Sequence, residues 1–315
     1  MGLRKLLKNI SYLSKNDLTK SSTDKATVND MLDNLKFEIY DEMRKNLIQV
    51  PKFEDRFGTL KELIKSGASL ARFGDGEFNL VLGEDIPFQT ANDSIKKRLE
   101  EILVNKDKNI LIGIPDYIGS LHEYVDFSKI YARNYWKIAR PKIYPYIDFN
   151  KQYYDACITR PYINYTDHSR TKEIYDGFKK IWNGKDLVIV EGYQTRMGAG
   201  NDLFNNTKSV KRITCPGLNA YDRYDQILNA CKKMDKKSLF LISLGPTATV
   251  LAYDLAKLGY QALDTGHLDI EYEWFLAGAT ERVAVKGKHA REAHKADKIA
   301  DNKDQKYLSQ IVATI

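Results

Sequence analysis

The sequence predicts an α/β fold: a Rossmann-like parallel sheet flanked by helices, with an N-terminal helical extension. Short apolar runs rich in β-branched residues, NILIGI at 109–114, DLVIVEG at 186–192 and SLFLISLG at 238–245, read as buried strands. Helical stretches of about 10–15 residues alternate with them, the pattern of βαβ units. Polar and glycine-bearing turns follow the strands: GDGE at 74–77, GPTAT at 245–249 and DTGHLD at 264–269.

Taken in order, residues 1–20 place Leu3, Leu6, Leu7, Ile10 and Leu13 at helical spacing, with Arg4, Lys5, Lys8 and Lys15 between them. Such a basic amphipathic helix either lies on an anionic membrane or packs on its own domain. Residues 16–28 are a polar linker. A second helix is expected over 28–47, its stripe formed by Ile39, Met43 and Leu47, and Pro51 ends it. A short helix over 60–66 closes at Gly67. SLARF is a strand, and GDGEF is a turn that opens a helix. Residues 120–150 are rich in tyrosine and read as helix followed by irregular structure. YDACITR at 154–160 is a further strand candidate. Thr171–Trp182 is a helix, and after DLVIVEG the run MGAGNDLF reads as a glycine-bearing loop with a short helix. VKRITC, SLFLISLG and YQALDTG are strands, separated by helices over 220–233 and 247–258, and DIEYEWF lies in a last helix. The expected organisation is therefore a helical extension over 1–54, a catalytic domain over 55–288 and a charged, peripheral tail over 289–315.

Composition narrows the class. The 315 residues are 43% apolar and 29% charged, enough for a buried core. A formal charge of +7 suits phosphate-bearing partners, and nothing in the motifs asks for nucleic acid. Cys157, Cys215 and Cys231 form no CxxC pair, which excludes a disulfide framework and an ordinary zinc site. The N-terminus lacks a secretory signal and no apolar run spans a bilayer, so a cytoplasmic placement is expected, with residues 1–20 as the candidate peripheral contact at the inner membrane face.

Ligands of an open parallel sheet bind beyond the carboxyl ends of its strands. There GDGE offers Asp75 and Glu77, two hard oxygen ligands one residue apart that suit Mg²⁺ or Mn²⁺ bridging a diphosphate. The bland alternative is an acidic first turn that complements a helix dipole. Gly74 permits close backbone approach, and Arg72 offers a phosphate a fork of donors. Gly245 and Thr247 open a helix whose free N–H groups suit an anion, or simply cap it. Arg196 follows the DLVIVEG strand as a further donor-side cation. For removing a proton from an acceptor hydroxyl, Glu191 and Asp269 are the carboxylates left over and rank equally. His267 comes third, its role as base, ligand or phosphate donor open.

ARFGDGEFNLVLG, EGYQTRMGAGNDLF and SLGPTATVLAYDLAKLGYQALDTGHLDIEYEWF together resemble one family, the bacterial glycosyltransferases of the GT-D fold, first described as a domain of unknown function in adhesin glycosylation. The resemblance covers roughly residues 55–288. It implies a Rossmann-like domain, a divalent metal (Mn²⁺ or Mg²⁺) at Asp75 and Glu77, and a UDP-sugar donor, often UDP-glucose. The acceptor would be a glycan, a glycoprotein or a lipid-linked sugar. Two other classes compete: another Rossmann-like nucleotide-using transferase, such as a methyltransferase, and a non-catalytic nucleotide-sugar-binding module. A methyltransferase needs a glycine-rich loop after its first strand, where this chain carries two carboxylates.

Overall fold

The computed structural model describes residues 49–289 and 302–315. The two N-terminal helices expected over 1–20 and 28–47 lie outside the described residues. The first half contains β1 (Lys52–Phe53), α1 (Arg56–Ser66), β2 (Ser69–Arg72), α2 (Asp75–Val81), α3 (Asp93–Leu103), β3 (Ile110–Ile114), α4 (Asp126–Ile143) and β4 (Gln152–Asp155). The second contains α5 (Thr171–Trp182), β5 (Asp186–Gly192), β6 (Ser209–Cys215), α6 (Tyr224–Lys232), β7 (Leu239–Ser243), α7 (Pro246–Lys257), β8 (Gln261–Asp264), α8 (Leu268–Ala277), α9 (Gln305–Gln310) and β9 (Ile311–Thr314).

All nine strands pair in parallel, in the order β1-β4-β3-β2-β8-β7-β5-β6-β9. Period-two alternation builds both faces. Ala71, Ile112, Val188, Val190, Phe240, Ile242 and Ala262 point into the core layer beneath α2, α3, α4, α6 and α7. Their neighbours Leu70, Leu111, Leu187, Ile189, Leu239, Leu241 and Leu263 point into the layer beneath α1, α5 and α8. Buried on both faces, these strands read as continuous apolar runs, as parallel strands must.

β2 continues through α2 and α3 on one face, whereas β8 continues into α8 on the other. β2 and β8 are neighbours, with Leu70 opposite Leu263. Adjacent strands whose connections leave on opposite faces open a crevice at their carboxyl ends. That crevice lies between GDGE and DTGH.

Four local expectations are corrected. The strand expected over 154–160 stops at Asp155, because its carboxylate accepts the Cys157 N–H at 2.6 Å and turns the chain into a 3-10 helix over Ala156–Thr159. MGAGNDLF forms turns without a helix, since Gly198 and Gly200 take φ of +72° and +81°. The helix expected over 220–233 begins as a 3-10 turn, Ala220–Arg223, before α6. The tail is not peripheral in its last residues, for β9 pairs with β6 and adds an edge strand to the sheet.

Candidate functional site

The crevice is organised by Arg72 and Asp264, each the last residue of its strand. Arg72 Nη2 meets Asp264 Oδ1 at 2.7 Å, Nε donates to the Asp264 carbonyl at 2.8 Å, and Nη1 donates to the Ala156 carbonyl at 3.1 Å. The guanidinium expected to reach a phosphate is thus first a strut across the strand ends. Burial raises the Asp264 carboxyl and Arg72 pulls it back down. Gly266 must be glycine here: its φ is +45°, and a Cβ would sit 2.1 Å from Arg72 Nη2.

Asp75 and Glu77 open α2 from Gly74. The Glu77 carboxylate accepts the Gly74 N–H at 2.7 Å, holding the first turn together. Burial, and then the nearby Asp264 charge, push the Glu77 carboxyl up to about 7. Asp75 is half-buried. Its Oδ2 accepts the hydroxyl of Tyr131, and its carbonyl accepts that of Tyr135 at 3.2 Å. Asp75 Oδ1 has no hydrogen-bond partner among the described residues.

On the adjoining strand, Gly245 carries the chain from β7 into α7 with φ +53°, and a Cβ there would meet the Phe88 ring at 2.9 Å. Thr249 Oγ1 donates to the Arg72 carbonyl at 2.8 Å, which docks this helix on the end of β2. Thr247 is fully buried and its hydroxyl has no partner among the described residues. GDGE, GPTAT and DTGH therefore share one edge, as the strand order requires.

His267 lies at the same edge, capping α8, with Nδ1 2.8 Å from Arg160 Nη2. A guanidinium only donates, so Nδ1 is the accepting nitrogen and Nε2 carries the proton. In this tautomer the Nε2–H of His267 is a hydrogen-bond donor.

The two carboxylates expected as bases are committed elsewhere. Glu191 is fully buried; Oε1 takes Arg212 Nη1 at 2.6 Å and the Tyr307 hydroxyl at 2.9 Å, and Oε2 takes the Met197 N–H at 2.6 Å. Asp269 is 3% exposed; Oδ1 takes Asn201 Nδ2 at 2.7 Å and Oδ2 takes Lys288 Nζ at 2.7 Å. Both tie down the loop of residues 197–201, and each of their carboxylate oxygens already accepts a hydrogen bond. Arg196, also on this loop with φ +50°, donates to the Gly287 carbonyl at 2.9 Å.

Several of these residues escaped sequence reasoning: Tyr131 and Tyr135 on Asp75, Arg160 on His267, and Asn201 and Lys288 on Asp269. The i, i+4 spacing of the two tyrosines marks a shared helix face, and that was the one available signal.

A second compact donor set, Asp116, Asp155 and Cys157, places one ligand atom of each within 4.8 Å of the others. Asp116 already accepts the hydroxyls of Tyr124 and Tyr165, and burial pushes Asp155 and Cys157 well up, which favours their protonated forms. This is a hydrogen-bonded cluster between the ends of β3 and β4.

The comparisons with known proteins agree with this fold. Residues 70–293 match the family model described as the glycosyltransferase GT-D fold. The chain is 39% identical over 261 residues to a protein of Streptococcus gordonii named probable glycosyl transferase Gly, with 82% of this chain and 38% of that protein covered. It is 36% identical over 277 residues to the glycosyltransferase GlyD of Streptococcus pneumoniae serotype 4, with 86% of this chain and 33% of that protein covered. The chain thus spans about a third of the length of either relative. Among solved structures, a domain of unknown function 1792 described as having a distinct glycosyltransferase fold superposes with a TM-score of 0.81 at 38% identity, covering 87% of this chain and 99% of that one. A new glycosyltransferase of the same domain family from Streptococcus sanguinis superposes with a TM-score of 0.80 at 38% identity, covering 84% and 100%. With the family model matching well over half of its length, and with the nine-stranded parallel sheet in place, this chain belongs to the glycosyltransferase family of the GT-D fold.

Proposed function

We propose that this chain is a divalent-metal-dependent glycosyltransferase that moves a hexose from a UDP-sugar to a glycan, glycoprotein or lipid-linked acceptor. The observation that carries the reading is the carboxylate group at the β2/β8 crevice. Asp75 and Glu77 open the turn after β2, Asp264 ends the neighbouring strand on Arg72, and burial and then the Asp264 charge push the Glu77 carboxyl up to about 7. Hard oxygen donors short of positive charge fit Mg²⁺ or Mn²⁺. Asp75, through its open Oδ1, and Glu77 would hold the ion. When bound, such an ion supplies positive charge to a leaving diphosphate.

The remaining roles belong to side chains already in place. The first turn of α7, behind Gly245 and Thr247, offers free N–H groups to an anion. The His267 Nε2–H is a neutral donor for a phosphate or sugar oxygen. Glu191 and Asp269 position the 197–201 loop at the rim, and Arg72 sets the spacing of the two strand ends. Among the described residues no helix is long and apolar enough to cross a membrane.

The test is a thermal-shift panel of UDP, GDP, NAD and S-adenosylmethionine, each with Mn²⁺ and with EDTA. A ligand at a hundredfold excess over its Kd adds about 2.7 kcal/mol of stability, which a melt resolves. UDP should stabilise the protein with Mn²⁺ and lose that effect in EDTA. A shift with S-adenosylmethionine, or a UDP shift indifferent to EDTA, contradicts the reading.

A further inference from the structure

Tyr131 and Tyr135 stand one turn apart on α4, their rings 6.3 Å apart and 5° from parallel. Tyr131 is 50% exposed, and its hydroxyl donates to a carboxylate oxygen, Asp75 Oδ2. Tyr135 holds the same residue from behind, through the Asp75 carbonyl at 3.2 Å and the Asn79 Oδ1 at 3.1 Å. The carboxylate of Asp75 is thereby fixed in one rotamer by one oxygen, and its other oxygen is left with no hydrogen-bond partner among the described residues.

From this geometry we infer that Tyr131 is a positioning residue for the cation site: its hydroxyl orients the Asp75 carboxylate so that Oδ1 faces the ion. The inference rests on the proposed metal role of Asp75. A carboxylate ligand keeps two oxygens and about four lone-pair sites, so one oxygen can be anchored by a donor while the other binds the metal. Such outer partners fix ligand orientation, and their loss typically costs metal affinity about 10–100-fold. The partner Tyr131 holds is the half-buried Asp75 of the acidic turn.

The experiment is a calorimetric titration of Mn²⁺ into the full chain as wild type, Tyr131→Phe and Asp75→Asn, each checked by its melting temperature. Tyr131→Phe removes one oxygen from a half-exposed ring and should leave the melt unchanged. It should weaken Mn²⁺ binding by about 10-fold or more. At saturating Mn²⁺ its UDP affinity should return to that of the wild type, a recovery that a collapsed turn would not allow. If Asp75→Asn binds Mn²⁺ as the wild type does, the metal reading of Asp75 falls whatever Tyr131 does. If Asp75→Asn loses the ion while Tyr131→Phe binds it within about twofold of wild type, or more tightly, the positioning role of Tyr131 is overturned and the metal site stands.

Discussion

Arg72 and Asp264 meet at 2.7 Å across the seam between β2 and β8, and this pair fixes the distance between the two turns that form the site. Three donors of the guanidinium reach three acceptors on two chain segments, so the strand ends cannot drift apart without breaking them. A buried ion pair of this kind adds little net stability over an apolar substitute, but it defines one arrangement of the crevice, and leaving one partner alone is costly.

Gly266 is the position most sensitive to this arrangement. An alanine there would carry φ +45° and place its Cβ 2.1 Å from Arg72 Nη2. Gly266→Ala should destabilise the protein by about 1–3 kcal/mol through overpacking and backbone strain. Urea denaturation measures this directly. An unchanged midpoint would mean that Arg72 moves aside at no cost and is not a strut.

Glu191 and Asp269 should behave as clamps. Removing Glu191 leaves the buried Arg212 without its carboxylate, whereas removing Asp269 leaves Lys288 paired with Glu273 alone. Glu191→Ala is expected to cost about 3–5 kcal/mol in equilibrium unfolding, and Asp269→Ala less than that. Asp75→Ala, on a half-buried turn, should stay within about 1 kcal/mol of wild type. Wild-type stability in Glu191→Ala together with a loss of turnover would restore the catalytic role expected from the sequence.

Lys151 predicts a pH dependence away from the site. Its ammonium donates to the Leu103 carbonyl at 2.8 Å and lies 4.6 Å from the Tyr153 ring, and burial lowers it from 10.5 to about 7. The depressed folded value means that the unfolded chain binds more protons between about pH 7 and 10, so this group makes stability rise with pH across that window and imposes its full penalty below it. The penalty is at most about 5 kcal/mol. Lys151→Met should raise the melting temperature at pH 7 and flatten the difference between pH 7 and pH 10. A variant with the same slope as wild type would show that Lys151 keeps its proton when folded.

The parallel sheet was legible because strands buried on both faces must be apolar throughout, as DLVIVEG and SLFLISLG are. The turns after those strands were legible for a related reason: only glycines and short polar residues follow such runs into a helix. β9 was not, because IVAT is a short run inside a charged tail, and its pairing with β6 depends on residues nearly a hundred positions away. At the site, the acidic turn could be read from two carboxylates after a strand. Which carboxylates would remain available could not. Glu191 and Asp269 look free in sequence, and only the fold brings Arg212, Tyr307 and Lys288 onto them. Tyr131 was hidden for the same reason, its partner lying 56 positions back on another helix.

The most direct measurement is UDP release from UDP-sugars with Mn²⁺ present, compared among wild type, Asp75→Asn and Glu77→Gln at matched melting temperatures. Loss of either ligand's charge with the fold intact should remove transition-state stabilisation at the leaving diphosphate and lower turnover by at least about 10²-fold in each variant. If both variants retain turnover near that of the wild type, the acidic turn is a helix cap and the site lies elsewhere.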